Sequence, residues 1–115
     1  MHDSLEPSLT VPATGIPGWM MDVDSVVKGL ERKLLEIRRH LHRNPEPSGE
    51  EWETTRYLAG ILGERGLACK LGKDNRGVMA GPATTGNAQS TTAFRGDIDA
   101  LWIHETTGAS YQSCV

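Results

Sequence analysis

Cysteine is nearly absent from this 115-residue chain: Cys69 and Cys114 are its only two, they lack metal-type spacing, and two thiols do not make a disulfide framework. A reducing, cytoplasmic setting is the expectation. Long apolar runs are missing too. None approaches the roughly 20 residues of a membrane span, and no basic-then-apolar segment opens the chain, so neither membrane insertion nor secretion is expected. Large core-forming side chains are scarce, with one Phe, two Tyr and three Trp and a mean hydropathy of −0.40. One small core is the ceiling such a chain can support. A net charge of −3, from 12 basic and 15 acidic side chains, lacks the basic excess that phosphate backbones and anionic lipids attract. Aromatic and basic residues are not interleaved either, which argues against a nucleic-acid partner.

What is present begins after a leader. Residues 1–20 contain Pro7, Pro12, Pro17, Gly15 and Gly18 with no periodic apolar face, and read as a flexible leader; residues 21–115 read as the structured part. Val23, Val26, Val27, Leu30, Leu34, Ile37 and Leu41 recur at steps of three and four, which places them on one helical face. Asp22 or Asp24 suits the start of this helix, Arg38, Arg39 and Arg43 suit its negative end, and Pro45 stops it. Ser48 and Glu51 have capping-box spacing for a second helix that starts at Gly49 or Glu50 and ends near Arg65. Its apolar stripe is Trp52, Thr55, Leu58, Ala59 and Leu62, with Gly66 closing it.

Beyond that, Leu67, Cys69 and Leu71 alternate with Ala68 and Lys70 as in a half-buried strand, and the Asp74–Asn75 pair predicts a turn into a second strand over residues 77–80. Residues 81–90 are small and polar, as in an exposed connector. Residues 91–94 predict a third strand whose end would present the carboxylates of Asp97 and Asp99. The class is α/β: two N-terminal helices, then a β-hairpin and a third strand, with an open sheet edge that invites self-association into a homo-oligomer.

Two blocks carry chemistry. Leu41, His42, Pro45 and Glu46, continued by Glu50 and Glu51, form the first; Arg95, Gly96, Asp97, Ile98, Asp99, Ala100, Leu101, Trp102 and Ile103 form the second. In that order the pair resembles the N-terminal part of the M20-family metallo-amidohydrolases, in the branch of hippurate and N-acyl-amino-acid hydrolases. The resemblance runs from about Ile37 to Val115. It implies a partial catalytic domain of zinc-peptidase-like fold, here an N-terminal piece of an enzyme that hydrolyses the amide bond of N-acyl amino acids or related small amides. It also implies two divalent ions (Zn, Mn, Co or Ni) in the full-length enzyme, which polarise the carbonyl and activate water. The family's metal ligands and catalytic Glu lie beyond this segment, so no metal ligand is assigned here and the piece alone is expected to be inactive.

Within the second block the resemblance gives Asp97 a supporting role near the metals, orienting a ligand. The alternative is that Asp97, like Asp99, merely caps a strand end. Arg95 stands where related peptidases place a metal-binding His, and Trp102 replaces the usual Pro, changing local packing. His40 and His42 are two apart on a helix and face different directions, a poor metal pair. Cys114 precedes the family's ligand position. The Arg95–Asp97 triplet also spells an adhesion tripeptide, set aside because it is expected between a buried strand and Ala100–Ile103 and not on an exposed loop. A second reading of the chain is a non-catalytic module that binds a protein through Arg38, Arg39 and Arg43 or through the open sheet edge.

Overall fold

The computed structural model describes residues 18–83, 86 and 89–115. The described elements are α1 (Gly18–Arg43), α2 (Trp52–Glu64), β1 (Leu67–Leu71), a short 3-10 turn (Lys73–Asn75) and β2 (Val78–Pro82). The chain divides into two units, residues 1–35 and 36–115.

In the first unit every described residue is helical. The helix begins four residues before Asp22, so Asp22 and Asp24 sit inside it and do not cap it. Once nucleated, a helix gains one backbone hydrogen bond per added residue at small entropic cost, and a suitable cap residue further along does not prevent that. Residues 1–17 of the expected leader lie outside the described residues. Val23, Val26, Val27 and Leu34 of the anticipated apolar face are exposed.

In the second unit α2 packs on the hairpin. β1 and β2 pair antiparallel in the register Leu67–Pro82, Cys69–Ala80, Leu71–Val78. Pro82 takes the last rung, where a missing N–H costs the ladder least. The expected turn forms where Asp74 and Asn75 adopt φ of 56° and 59°, the left-handed region these two side chains tolerate. β2 extends two residues past the expected Ala80, shortening the connector, of which residues 84, 85, 87 and 88 lie outside the described set.

The α/β class holds as two helices and a two-stranded antiparallel sheet, but the third strand does not form. Residues 90–104 carry no helix or strand, and Phe94 is 97% exposed. A strand exists through its ladder, and among the described residues no strand pairs with residues 91–94; the Thr-Thr-Ala-Phe cue reports only a propensity, which context overrides.

Burial is as thin as the composition suggested. Among the described residues no apolar side chain is fully buried, and the two buried residues are Thr54 and Thr55. Polar bonds do much of the fastening. The Thr55 hydroxyl donates to Glu51 O and accepts from the Gly77 N–H at 2.7 Å, and Arg76 Nη1 donates to Gly49 O at 2.7 Å, so the hairpin tip is tied to the start of α2 at two points.

Candidate functional site

The two sequence blocks meet. The first arrives at the end of α1, where the Asn44 side chain and N–H both donate to His40 O and close the helix. Pro45 and Glu46 then lead toward α2. The Glu46 carboxylate accepts from the Glu53 N–H at 3.1 Å and from the Thr54 N–H, capping α2 from upstream. The Ser48–Glu51 capping box does not form: Glu51 is the N-cap residue without a side-chain cap bond. One carboxylate with two oxygens satisfies two helix donors at once and sits at the positive end of the helix dipole. Partial burial pushes the Glu46 pKa up, but bonds from the Thr54 side chain and from the Thr54, Glu53 and Trp52 N–H groups outweigh it, and the net direction is down. The carboxylate's contribution is therefore present above the ordinary carboxylate range and is lost as pH falls through the folded value. Glu46→Ala is expected to cost about 0.5–2 kcal/mol by urea unfolding, and Glu46→Gln, which keeps an acceptor, less. Equal midpoints for wild type and Glu46→Ala would show that the cap adds nothing.

The second block docks on the same stretch. The Ala100 N–H donates to Glu46 O at 2.8 Å. Glu105, just past the block, accepts from His42 Nε2 at 2.7 Å, from the Ser113 N–H at 2.8 Å and from the Thr107 hydroxyl. The Ser113 N–H and then the Thr107 hydroxyl hold the Glu105 carboxyl down to about 2 against partial desolvation, with His42 adding a smaller pull. An ionised carboxylate only accepts, so in this bond His42 Nε2 is the donor. His40 instead stacks on Tyr57 with ring centroids 3.8 Å apart. The two histidines thus serve different neighbours.

Two open clefts flank this junction. One of about 630 Å³ is lined by His40, Arg43, Glu46, Thr54, Tyr57 and Cys114 among others. The second, of about 540 Å³, is lined by His42, Pro45, Ala100, Ile103, His104 and Glu105 among others.

Asp97 and Asp99 line neither cleft. The Asp97 side chain is 71% exposed and accepts from Arg95 Nη2 at 3.1 Å, a surface pair worth about 0–1 kcal/mol. Residues 95–97 are exposed and carry no helix or strand, so the ground for setting aside the adhesion tripeptide, a position off any exposed loop, does not hold. Asp99 is exposed. Cys114 is held through its backbone, its N–H donating to Arg43 O at 2.9 Å, while its thiol is free and the residue exposed. No three His, Cys, Asp or Glu side chains among the described residues are grouped to hold a metal ion. A zinc-type centre needs three or four such ligands. The described residues therefore do not fit the two-ion centre that the resemblance implies, and no chemical step is derived through one.

Sequence reasoning missed Glu105, Thr107, Gln112 and Ser113. A His in one block and a Glu beside the other are complementary, yet 63 residues separate them, and nothing local in the sequence pairs them.

Comparison with known proteins supplies the rest. No protein-family profile and no solved structure matches the chain. Curated relatives do. A probable hydrolase of Synechocystis is 37% identical over 93 residues, 81% of this chain and 24% of the relative. The N-acetyl-L-cysteine deacetylase of Bacillus subtilis is 44% identical over 84 residues, 73% of this chain and 20% of the relative. The thermostable carboxypeptidase 2 of Saccharolobus solfataricus is 33% identical over 89 residues, 77% of this chain and 23% of the relative. The chain thus spans a quarter or less of the length of these relatives. Taken with the paired blocks that meet at Glu46, these matches are to hydrolases, a deacetylase and a carboxypeptidase, and over the part it shares with them the chain is similar to the M20 family of amidohydrolases and peptidases.

Proposed function

We propose that residues 21–115 are the N-terminal part of the catalytic domain of a hydrolase that cleaves the amide bond of N-acyl amino acids, and that they contribute scaffold and not metal ligands. The observation that carries this reading is the 44% identity to an N-acetyl-L-cysteine deacetylase across 73% of the chain. The docking of the second block onto Glu46 and His42 supports the scaffold role, because the segment bearing Asp97 is anchored through residues that hold one another. In this reading two divalent ions, polarising the scissile carbonyl and activating water when bound, are held by groups other than the described residues. Asp97 acts by orienting such a group. The exposed apolar residues of α1 support self-association, and the two free thiols support a cytoplasmic setting.

The test is an exchange of parts. In a chimera, the 84 residues of the Bacillus subtilis deacetylase that align with this chain are replaced by their counterparts here. Hydrolysis of N-acetyl-L-cysteine is expected to stay within about ten-fold of the parent, a barrier change of about 1.4 kcal/mol. The 115-residue chain alone, given Zn²⁺, Mn²⁺ or Co²⁺, is expected to hydrolyse nothing. A folded, metal-loaded chimera without turnover would sink the amidohydrolase reading. Turnover by the isolated chain would sink the scaffold role.

A further inference from the structure

The last turn of α1 is built to receive a strap. Arg39, His42 and Arg43 lie at helical spacings of three and four, on one face, and each engages residues 105–114. The Arg39 guanidinium lies 4.8 Å from the centroid of the Tyr111 ring, and the His42 ring meets Tyr111 edge-on at 5.8 Å. Arg43 Nη2 donates to Ser110 O, and Arg43 O accepts from the Cys114 N–H at 2.9 Å. The strap is also closed on itself. Gln112 Oε1 accepts from the Gly108 N–H at 2.9 Å while its Nε2 donates to Glu105 O at 2.6 Å. Glu105 is where the two sets of contacts join: its carboxylate takes the Thr107 hydroxyl and Ser113 N–H from the strap and His42 Nε2 from the helix.

We propose that Glu105 is a clamp: its carboxylate closes residues 105–113 into a loop, fastens that loop to the last turn of α1 through His42, and so fixes where the Asp97-bearing stretch leaves the Ala100–Glu46 contact. The inference concerns this chain's own conformation and stands apart from the amidohydrolase reading. The ionisable groups around the carboxylate are Arg39, His42 and Arg43 from α1, His104 beside it in the same cleft, and Tyr111 and Cys114 from the strap. Because the folded-state pKa is depressed to about 2, the clamp is fully closed above the ordinary carboxylate range and opens as pH falls toward that value.

Amide hydrogen exchange on the 115-residue chain, resolved by NMR, reads the clamp directly. In Glu105→Gln, protection of Ser113 is expected to fall about ten-fold or more, since a bond to a charged acceptor is worth more than one to a neutral one. Ala100 should lose protection with it. Gly77, bonded to Thr55 in α2, should not change and so distinguishes clamp release from unfolding. Glu105→Asp, which keeps the charge, should restore part of the protection. On acidification the wild type should lose Ser113 protection before Gly77 protection, whereas Glu105→Gln, already open, should show no such early loss. Unchanged Ser113 and Ala100 protection in Glu105→Gln would overturn the clamp, as would a Glu105→Asp variant no better protected than Glu105→Gln.

Discussion

Gly72→Ala is expected to undo the β-hairpin. A Cβ on Gly72 would lie 2.1 Å from Arg76 O, a backbone atom that cannot swing aside as a side chain could. The dihedrals do not demand glycine, because φ −72° and ψ −174° suit any residue. It is the close approach of the two arms that demands it. Relieving the clash means opening the tip, which breaks the Gly72 N–H bond to Gly77 O at 2.9 Å and shifts the turn bonds Asn75 N–H to Gly72 O and Arg76 N–H to Lys73 O. The same movement drags Arg76 and Gly77 away from Gly49 and Thr55, so the damage reaches α2. The cost is expected at roughly 1–3 kcal/mol, the range of overpacking, to which the loss of the partly buried bonds to Gly49 and Thr55 adds. In a domain this thinly packed that is a large share of total stability. Cross-strand NOEs between Cys69 and Ala80 and the urea midpoint provide the check. An alanine variant that keeps both would mean the tip relaxes without cost.

Such local constraints are what one sequence discloses best. The Asp74–Asn75 turn was legible because few residue pairs accept two successive left-handed conformations, and both do so here. The face of α2 was legible from spacing, with Thr55 buried and Leu58, Ala59 and Leu62 partly so, whereas the apolar positions Val23, Val26, Val27 and Leu34 of α1 stay exposed. The starts of the helices were not. At α2 the Ser48–Glu51 box and the Glu46 carboxylate compete for the same free N–H groups. Which one wins depends on how Pro45 and Pro47 bring the chain in, a three-dimensional fact that the spacing does not encode. The third strand failed for a related reason: propensity identifies residues that suit a pleated surface, whereas a strand also needs a neighbour.

For the site, the two blocks were legible as blocks and their contact was not. Asp97 drew attention through its resemblance, yet its side chain is 71% exposed and bonds Arg95, whereas Glu46 and Glu105 each bond several groups. Glu46 belongs to the first block but serves the second through its backbone oxygen, a role that leaves no trace in residue identity. Glu105 depends on partners both 63 residues upstream and 8 residues downstream. The family was reachable because residue types at fixed spacing survive in one sequence. The bracket that holds the blocks together was not, because backbone acceptors and long-range pairs have no spacing to read.

Thr55→Val provides the sharpest test of whether polar fastening, and not apolar burial, holds the second unit together. Thr55 is 0% exposed, and its hydroxyl bridges Glu51 O and the Gly77 N–H. Valine matches the shape and is the more apolar of the two, so a fold governed by burial would tolerate it or gain. A fold governed by the bridge would leave the Gly77 N–H without its partner, at about 1–3 kcal/mol. Thr55→Ser reverses the comparison, keeping the hydroxyl and deleting one methyl at about 0.8 kcal/mol. The expected order of urea midpoints is wild type, then Thr55→Ser, then Thr55→Val, with Gly77 amide exchange accelerated only in the valine variant. The opposite order would mean that the methyl matters more than the bridge. α2 and the hairpin would then be held chiefly by Leu58, Leu62, Leu67 and Val78, all only partly buried.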